Sequence, residues 1–312
     1  MGIRNLNRYL SDRCSKTAIH KTDLKEFQGK TIVVDTSIYM YKFMSQNSLI
    51  ENMYSMITIL FAYKIIPVFI FDGKAPPEKR DILKQRSKCK KEAEKKYNEL
   101  KAELPILPEP ARNEIISEME SLKKKFVRIK EDDIKRVKLL MDSFGVLYYD
   151  ADGESDRLCA HLVKTGKAWA CLSDDMDMFV YGCARVMRHF SLLKHTVILY
   201  DLDVILEEIS ISMTGFRKIA VLSGTDYNIN DKISLRETIS RYYEFKRDND
   251  EDSDFYNWLL KSTTINPDIN SLNRICDMFC VDDIYSDYAI YHKPMNSELM
   301  RRLLKSDGFV FI

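Results

Sequence analysis

The sequence predicts an α/β fold: a mostly parallel twisted sheet flanked by helices, with a helical insert and a helical C-terminal part. Three observations predict it. Short apolar and β-branched runs, KTIVVD at 30–35, IIPVFIFD at 65–72, GVLYY at 145–149 and AWACL at 168–172, are separated by helix-type stretches. That alternation is the signature of parallel strands joined by right-handed crossovers. Residues 78–140 interrupt it with a Lys/Glu-rich, helix-prone insert, and from 203 onward only helical patterns follow.

Taken in order, KTIVVD is a buried strand ending at a carboxylate, and residues 38–64 carry apolar side chains at mixed three- and four-residue spacing, as one helix against a sheet would. IIPVFIFD is a second strand ending in Asp before the turn GKAPP. The insert reads as two or three long helices standing off the sheet, broken by PILPEP at 105–110. GVLYY resumes the sheet, followed by a helix at 154–165, the strand AWACL, and a short strand VILY at 197–200. VILEEIS, FRKIAVLSG and SLRETISRYYEF are helical, RDNDEDSD at 247–254 is a solvated loop, and 255–312 is helix without further assignment.

The 312 residues are 45% hydrophobic and 30% charged, which suits one large globular unit and excludes a disordered or fibrous chain. No run approaches the roughly 20 apolar residues of a membrane helix, and MGIRNLNRYL lacks a signal-peptide core. Leu6 stands where a myristoylation motif needs Ser or Thr. Seven cysteines without a C-x-x-C pair read as reduced intracellular thiols, and five scattered histidines make no metal pair. Any metal site must therefore be built from carboxylates. Net charge is only +1, but residues 79–101 hold ten Lys/Arg against four Asp/Glu, and residues 123–138 eight against three. A basic insert on an acidic core is one footprint of an arm that binds a polyanion over a metal site; two solvated helix faces are the plainer alternative.

Binding crevices of open α/β sheets lie beyond the C-terminal strand ends. Asp35 and Asp72 end two strands, GVLYY runs into DADGESD with Glu154 and Asp156, AWACL runs into SDDMD with Asp175 and Asp177, and SGTDYN carries Asp226. Taken singly, such an Asp is a turn or cap residue, and that reading suits Asp152 and Asp174. Five sources converging on one edge mean more. Clustered carboxylates repel one another unless cations neutralise them, and all-oxygen donors select Mg²⁺ or Mn²⁺. Two such ions clamp the attacking and leaving oxygens of a phosphodiester.

MGIRNL, VVDTSIYMY, VFIFDGKAPPEKRDILKQRS, DADGESDRLCAHLVKTGKAWACLSDDMDMFVYG, MRHF and LSGTDYN occur in that order over residues 1 to about 245. They closely resemble the structure-specific 5′ nucleases of the flap endonuclease and xeroderma pigmentosum group G family. The resemblance implies a PIN-like 5′ nuclease core with a two-Mg²⁺ site that Mn²⁺ can also fill. It implies cleavage of DNA at 5′ flaps or single-strand/duplex junctions, with 5′–3′ exonuclease action. Asp35, Asp72, Glu154, Asp156, Asp175, Asp177 and Asp226 then match the family's metal acids, Asp156 one methylene shorter than the usual glutamate. Lys79 and Arg86 match its gateway-helix cations beside the scissile phosphate, and Tyr41 a base-stacking tyrosine. On the residues alone Tyr41 is a core aromatic. The amine of Gly2, exposed on removal of Met1, lies near the site in the family. Lys124, Lys125 and Arg128 become phosphate contacts of a helical arch, with a solvated face as the alternative. Lys84 is a further DNA-contact candidate for which an exposed helix face is the plainer reading.

The resemblance divides the chain into a first part of the core (1–83), the arch (84–138), the remaining core with a degenerate helix–two-turn–helix (139–245) and a C-terminal helical extension (246–312). Departures follow Asp226. No glycine stands between 225 and 307, where the family has a Gly-x-Gly hairpin holding K⁺ and a duplex phosphate. The K⁺ site is therefore not expected, and Lys232 and Arg236 remain as simple phosphate contacts. RRLLKSDGFVFI carries no sliding-clamp motif. The expected protein is a monomer acting on branched DNA inside the cell, a divergent member of the sort large DNA viruses carry. A 5′–3′ exoribonuclease and a non-catalytic DNA-binding scaffold are the alternatives. A haloacid dehalogenase-type phosphatase is disfavoured because Ser37 breaks its D-x-D motif.

Overall fold

The computed structural model describes residues 2–106, 108–228, 233–248, 254–265, 267–281, 288–291 and 293–309. Its strands are β1 (Ile19–Asp23), β2 (Thr31–Asp35), β3 (Ile66–Phe71), β4 (Leu147–Asp150), β5 (Ala170–Leu172), β6 (Arg185–Ser191) and β7 (Thr196–Asp201). They form one sheet in the order β1-β7-β6-β5-β2-β3-β4. The five strands from β6 to β4 are mutually parallel, whereas β7 and β1 join antiparallel.

Alternation of side chains along each strand builds two cores. Val33, Val68, Ile70, Leu147 and Cys171 face one. It is covered by α1 (Leu6–Arg13), buried residues of α2 (Thr36–Ser45) and α3 (Leu49–Ala62) being reserved for the opposite face, where Ile32, Val34, Phe69 and Phe71 point. Two long helices follow, α4 (Arg80–Glu103) and α5 (Glu109–Lys125). They bury Ala93, Met119 and Leu122, which belong to neither core, so this pair alone stands off the sheet. The next helix, α6 (Glu131–Phe144), returns to the body: Val137, Leu140, Met141 and Phe144 are buried in the second core. The first core is completed by α7 (Ser155–Lys164), α8 (Asp177–Val180), α9 (Leu202–Glu208), α10 (Met213–Ser223), α11 (Leu235–Asp248), α12 (Phe255–Ser262) and α13 (Ile269–Met278). The last helix, α14 (Ser297–Ser306), crosses back to α6 with Leu303 and Leu304.

Two expectations about elements are corrected. Residues 38–64 are not one helix: α2 and α3 are separated at Asn47, whose φ of 57° is left-handed. Asn tolerates that conformation through its short polar side chain, and no hydrophobic period signals it. The β1 and β6 strands were not expected, because IHKTD and RVMRHFS mix charged residues into half-covered strands.

Candidate active site

The site begins with β2. Ile32, Val33 and Val34 are fully buried, each contributing about 1.5–3 kcal/mol, and they fix Asp35 at the strand end with 3% of its surface exposed. Ser155 Oγ and Ser173 Oγ donate to its two oxygens at 3.1 and 2.9 Å. Asp72 follows β3 and accepts from the Ser155 amide at 2.9 Å. Gly73 makes the next step possible. A Cβ there would stand 1.9 Å from the Ala151 carbonyl, so only glycine lets the loops after β3 and β4 touch. The Gly73 amide donates to the Gly153 carbonyl at 2.7 Å, which carries Asp72 alongside Glu154.

Glu154 precedes α7 and Asp156 lies in its first turn; Asp175 follows β5, Asp177 opens α8, and Asp226 follows α10. Asp35, Asp72, Glu154, Asp156, Asp175 and Asp226 line one cavity of about 780 Å³, together with Lys79, Arg86 and Tyr41. Asp177, 4% exposed, lies against Asp175, whose Oδ1 accepts from the Asp177 amide at 3.1 Å. All seven expected acids are thus brought together. Burial, then the Asp72 charge, pushes the Asp35 carboxyl up to about 7 despite its serine donors. Burial followed by neighbouring carboxylates drives Asp156 and Asp177 well above the ordinary range.

Two cations stand among these acids. Lys79 Nζ pairs with Glu154 and lies 3.4 Å from Asp226, whose Oδ2 also accepts from Arg86 Nη2 at 2.6 Å. Burial alone would lower the Lys79 ammonium, but Glu154 and Asp226 outweigh it and hold it above its ordinary value. Two positive charges do not balance seven carboxylates. Asp156 Oδ1 and Asp177 Oδ1 are shut from solvent without a hydrogen-bond partner among the described residues. Buried acceptors of that kind, in an all-oxygen donor set, suit a hard divalent cation. As the side chains stand, no group of three His, Cys, Asp or Glu among the described residues is closed around an ion position. Lys79 and Arg86 hold Glu154 and Asp226 instead, so an entering cation competes with them.

Residues 1–93 match the XPG N-terminal domain and residues 145–226 the XPG I-region. Flap endonuclease 1 of Methanococcus aeolicus is 30% identical over 235 residues, covering 70% of this chain and 68% of the relative. The chain belongs to the flap endonuclease and XPG family. Flap endonuclease 1 of Leishmania major is also 30% identical, over 249 residues and 73% of this chain, and the chain spans only 60% of that relative's length. The fold is that of the catalytic core of Rad2, solved in complex with DNA substrate: TM-score 0.72 at 21% identity, covering 99% of this chain and 96% of that one.

Around these acids, the other expected contact residues divide. Gly2 lies at the site: with φ at 78°, a Cβ would stand 2.5 Å from Asp177 Oδ1 and 2.6 Å from Asp175 Oδ1, so any side chain would strike both acids. Tyr41 is exposed on the cavity wall rather than in a core, with Lys90 Nζ 4.8 Å from its ring centre. Arg128 lines the same cavity and pairs with Glu94 at 2.6 Å. Lys124 and Lys125 are exposed on α5 and do not line it. Lys125 borders a separate surface hollow with Lys96 and Glu118. Lys84 borders a different cavity, and Arg236 is exposed at the start of α11. Lys232 and the rest of 229–232, part of the 228–245 stretch matched to the hairpin region, lie outside the described residues.

Five contributing residues were not anticipated. Tyr227 donates to Glu154 and is hydrogen-bonded to Tyr181 at 3.0 Å, so two phenols fix the carboxylate from behind. Ser155 and Ser173 hold Asp35, and Lys90 leans over Tyr41. Tyr227 directly follows Asp226 in SGTDYN, the one signal that could have found it.

Proposed function

We propose that the chain is a metal-dependent, structure-specific 5′ nuclease that cuts DNA at 5′ flaps and single-strand/duplex junctions, with 5′–3′ exonuclease action. The observation that carries this reading is the convergence of carboxylates from five chain segments on one cavity rimmed by Lys79, Arg86 and Tyr41: six line it and the seventh, Asp177, lies against Asp175. Asp35, Asp72, Glu154, Asp156, Asp175, Asp177 and Asp226 would hold two Mg²⁺ ions, with Mn²⁺ as substitute. When bound, such ions supply Lewis acidity to the phosphodiester and neutralise the acids.

The chain's own residues do the rest. Lys79 and Arg86, freed from Glu154 and Asp226, place positive charge where the phosphoryl oxygens gain negative charge. Tyr41, exposed at the cavity wall, offers a stacking face to a base beside the scissile phosphate. The pair α4 and α5 forms an arch: α4 brings Lys90 and Lys91, and the segment after α5 brings Arg128, to the cavity of the acids. Burial and the nearby Arg128 and Arg86 charges lower the Lys90 ammonium, a crowding of cations that an incoming phosphate relieves. The monomer carries the whole site. Among the described residues no helix is long and apolar enough to cross a membrane.

The test compares cleavage of labelled 5′ flap, nicked, bubble and single-stranded RNA substrates with Mg²⁺ and with EDTA. Mg²⁺-dependent incision at the flap junction is expected. Preferential cutting of RNA would replace the reading with an exoribonuclease, and binding without cutting in any metal would reduce it to a scaffold.

A further inference from the structure

The first turns of α4 divide two cavities. Lys79, Arg86 and Lys90 face the acids, whereas Arg80, Leu83, Lys84 and Ser87, spaced as one helix face, border a second cavity of about 690 Å³. Its other wall is the loop after β3, with Lys74, and its far side meets Asp152 after β4. The cavities adjoin: Ala75, Leu83 and Ser87 line both. The second one is lined from the loops after β3 and β4, and β4 is an edge strand of the sheet.

Its charge is opposite to that of the acid cavity. Lys74, Arg80 and Lys84 face a single acid, Asp152. Lys74 and Arg80 have no ion-pair partner among the described residues, and Lys84 meets only Asp81 at 3.7 Å with both side chains more than 70% exposed. A surface pair of that kind is worth little. Leu83, 43% exposed, is an apolar point on the wall the cavities share. Cations spaced around one apolar contact fit a strand in which phosphates alternate with bases. A duplex is too wide to turn around a single helix within this volume.

We propose that Lys74, Arg80 and Lys84 form an exit site that holds the phosphates of single-stranded nucleic acid once it has passed the acid cavity. This rests on the nuclease reading for its direction, but its binding can be measured without cleavage. The variant Lys74→Gln/Arg80→Gln neutralises two exposed charges that contact no core. In EDTA, a fluorescent single-stranded oligodeoxynucleotide should bind this variant about tenfold more weakly. The slope of log affinity against log salt should fall by about 1.4, two phosphates at about 0.7 each. With Mg²⁺, single-turnover cutting of a long flap should slow about tenfold, while cutting of a single-nucleotide flap, too short to reach the exit, stays at the wild-type rate. Wild-type affinity and salt slope in the variant overturn the site even where flap cutting is normal. If the wild-type protein cuts no substrate yet loses single-strand affinity on this substitution, the nuclease reading fails and the site stands.

Discussion

Asp177 is 4% exposed, has an oxygen without a hydrogen-bond donor among the described residues, and feels the charges of Asp175, Asp226 and Glu154. Such a residue destabilises the metal-free fold and is kept for what it binds. Asp177→Asn should therefore raise metal-free stability by about 1 kcal/mol while abolishing any further gain from Mg²⁺. Equal or lower stability in EDTA, measured by urea denaturation, would mean that the charge is not under strain there. Arg86 makes the opposite case. It is joined to Asp226 at 2.6 Å at the cavity wall, and removing its charge leaves the fold but not the electrostatic complement of a reacting phosphate. Arg86→Gln should slow single-turnover cutting by about 10²–10³-fold with flap affinity nearly kept; an unaltered rate would remove it from the reaction. The acids were legible in the sequence because each lies at or shortly after the end of an apolar run, a pattern that chemistry and position share. Ser155, Ser173 and Tyr227 were not, since a hydroxyl that orients a carboxylate has no spacing rule and is found only when the strands meet.

The elements explain how those side chains reach one place. Four adjacent parallel strands present their C-terminal ends together, and the loops after β3 and β4 are clamped at Gly73. Gly73→Ala sets a methyl 1.9 Å from the Ala151 carbonyl, so the loops bearing Asp72 and Glu154 must part. It should cost about 1–3 kcal/mol of stability and reduce cutting more than it reduces flap binding, as read from denaturation midpoints beside single-turnover rates. The buried strands were readable from apolar runs, whereas β1 was not because it pairs with β7 far along the chain, β6 because charged residues interrupt its apolar run, and the break at Asn47 because one left-handed residue leaves no hydrophobic period. The helical part carries a pH-sensitive joint. Asp254 caps α12, accepting from the Asn257 amide at 2.9 Å, and pairs with Lys218 of α10. Burial would raise its carboxyl, but the Lys218 hydrogen bond and the cap outweigh it and hold it below the ordinary 3.8. A depressed folded-state value means the contribution is present above the unfolded value and lost as pH falls through the folded one. Stability should therefore drop on acidification below about pH 4, and less steeply in Asp254→Asn; parallel pH profiles for the two proteins would exclude this joint.

Across the whole molecule, a net charge of +1 conceals a separation of signs: an acid cavity at the strand ends, and α4 with α5 carrying cations above it. Attraction between the two layers is local, through Lys79 and Arg86, and the remaining carboxylates are left to repel one another. Divalent ions should accordingly act as folding ligands, independent of any nucleic acid. A ligand held only by the folded state stabilises by RT ln(1 + [L]/Kd), about 2.7 kcal/mol when it stands at a hundred times its Kd. For a chain of this size, with about 2.1 cal/mol/K of unfolding entropy per residue, that corresponds to a rise of about 4 °C in melting temperature. Mg²⁺ and Mn²⁺ should both produce it, and a matched ionic strength of NaCl should not, because monovalent ions screen the cavity from outside without replacing the missing donors. The Asp175→Ala variant should show a smaller rise, since it removes both a ligand and part of the repulsion. Identical melting curves in EDTA and in saturating Mg²⁺ would mean that the cavity does not gather the ion on its own. Ion binding would then require the substrate phosphate as a further ligand, and the order of assembly would run from nucleic acid to metal.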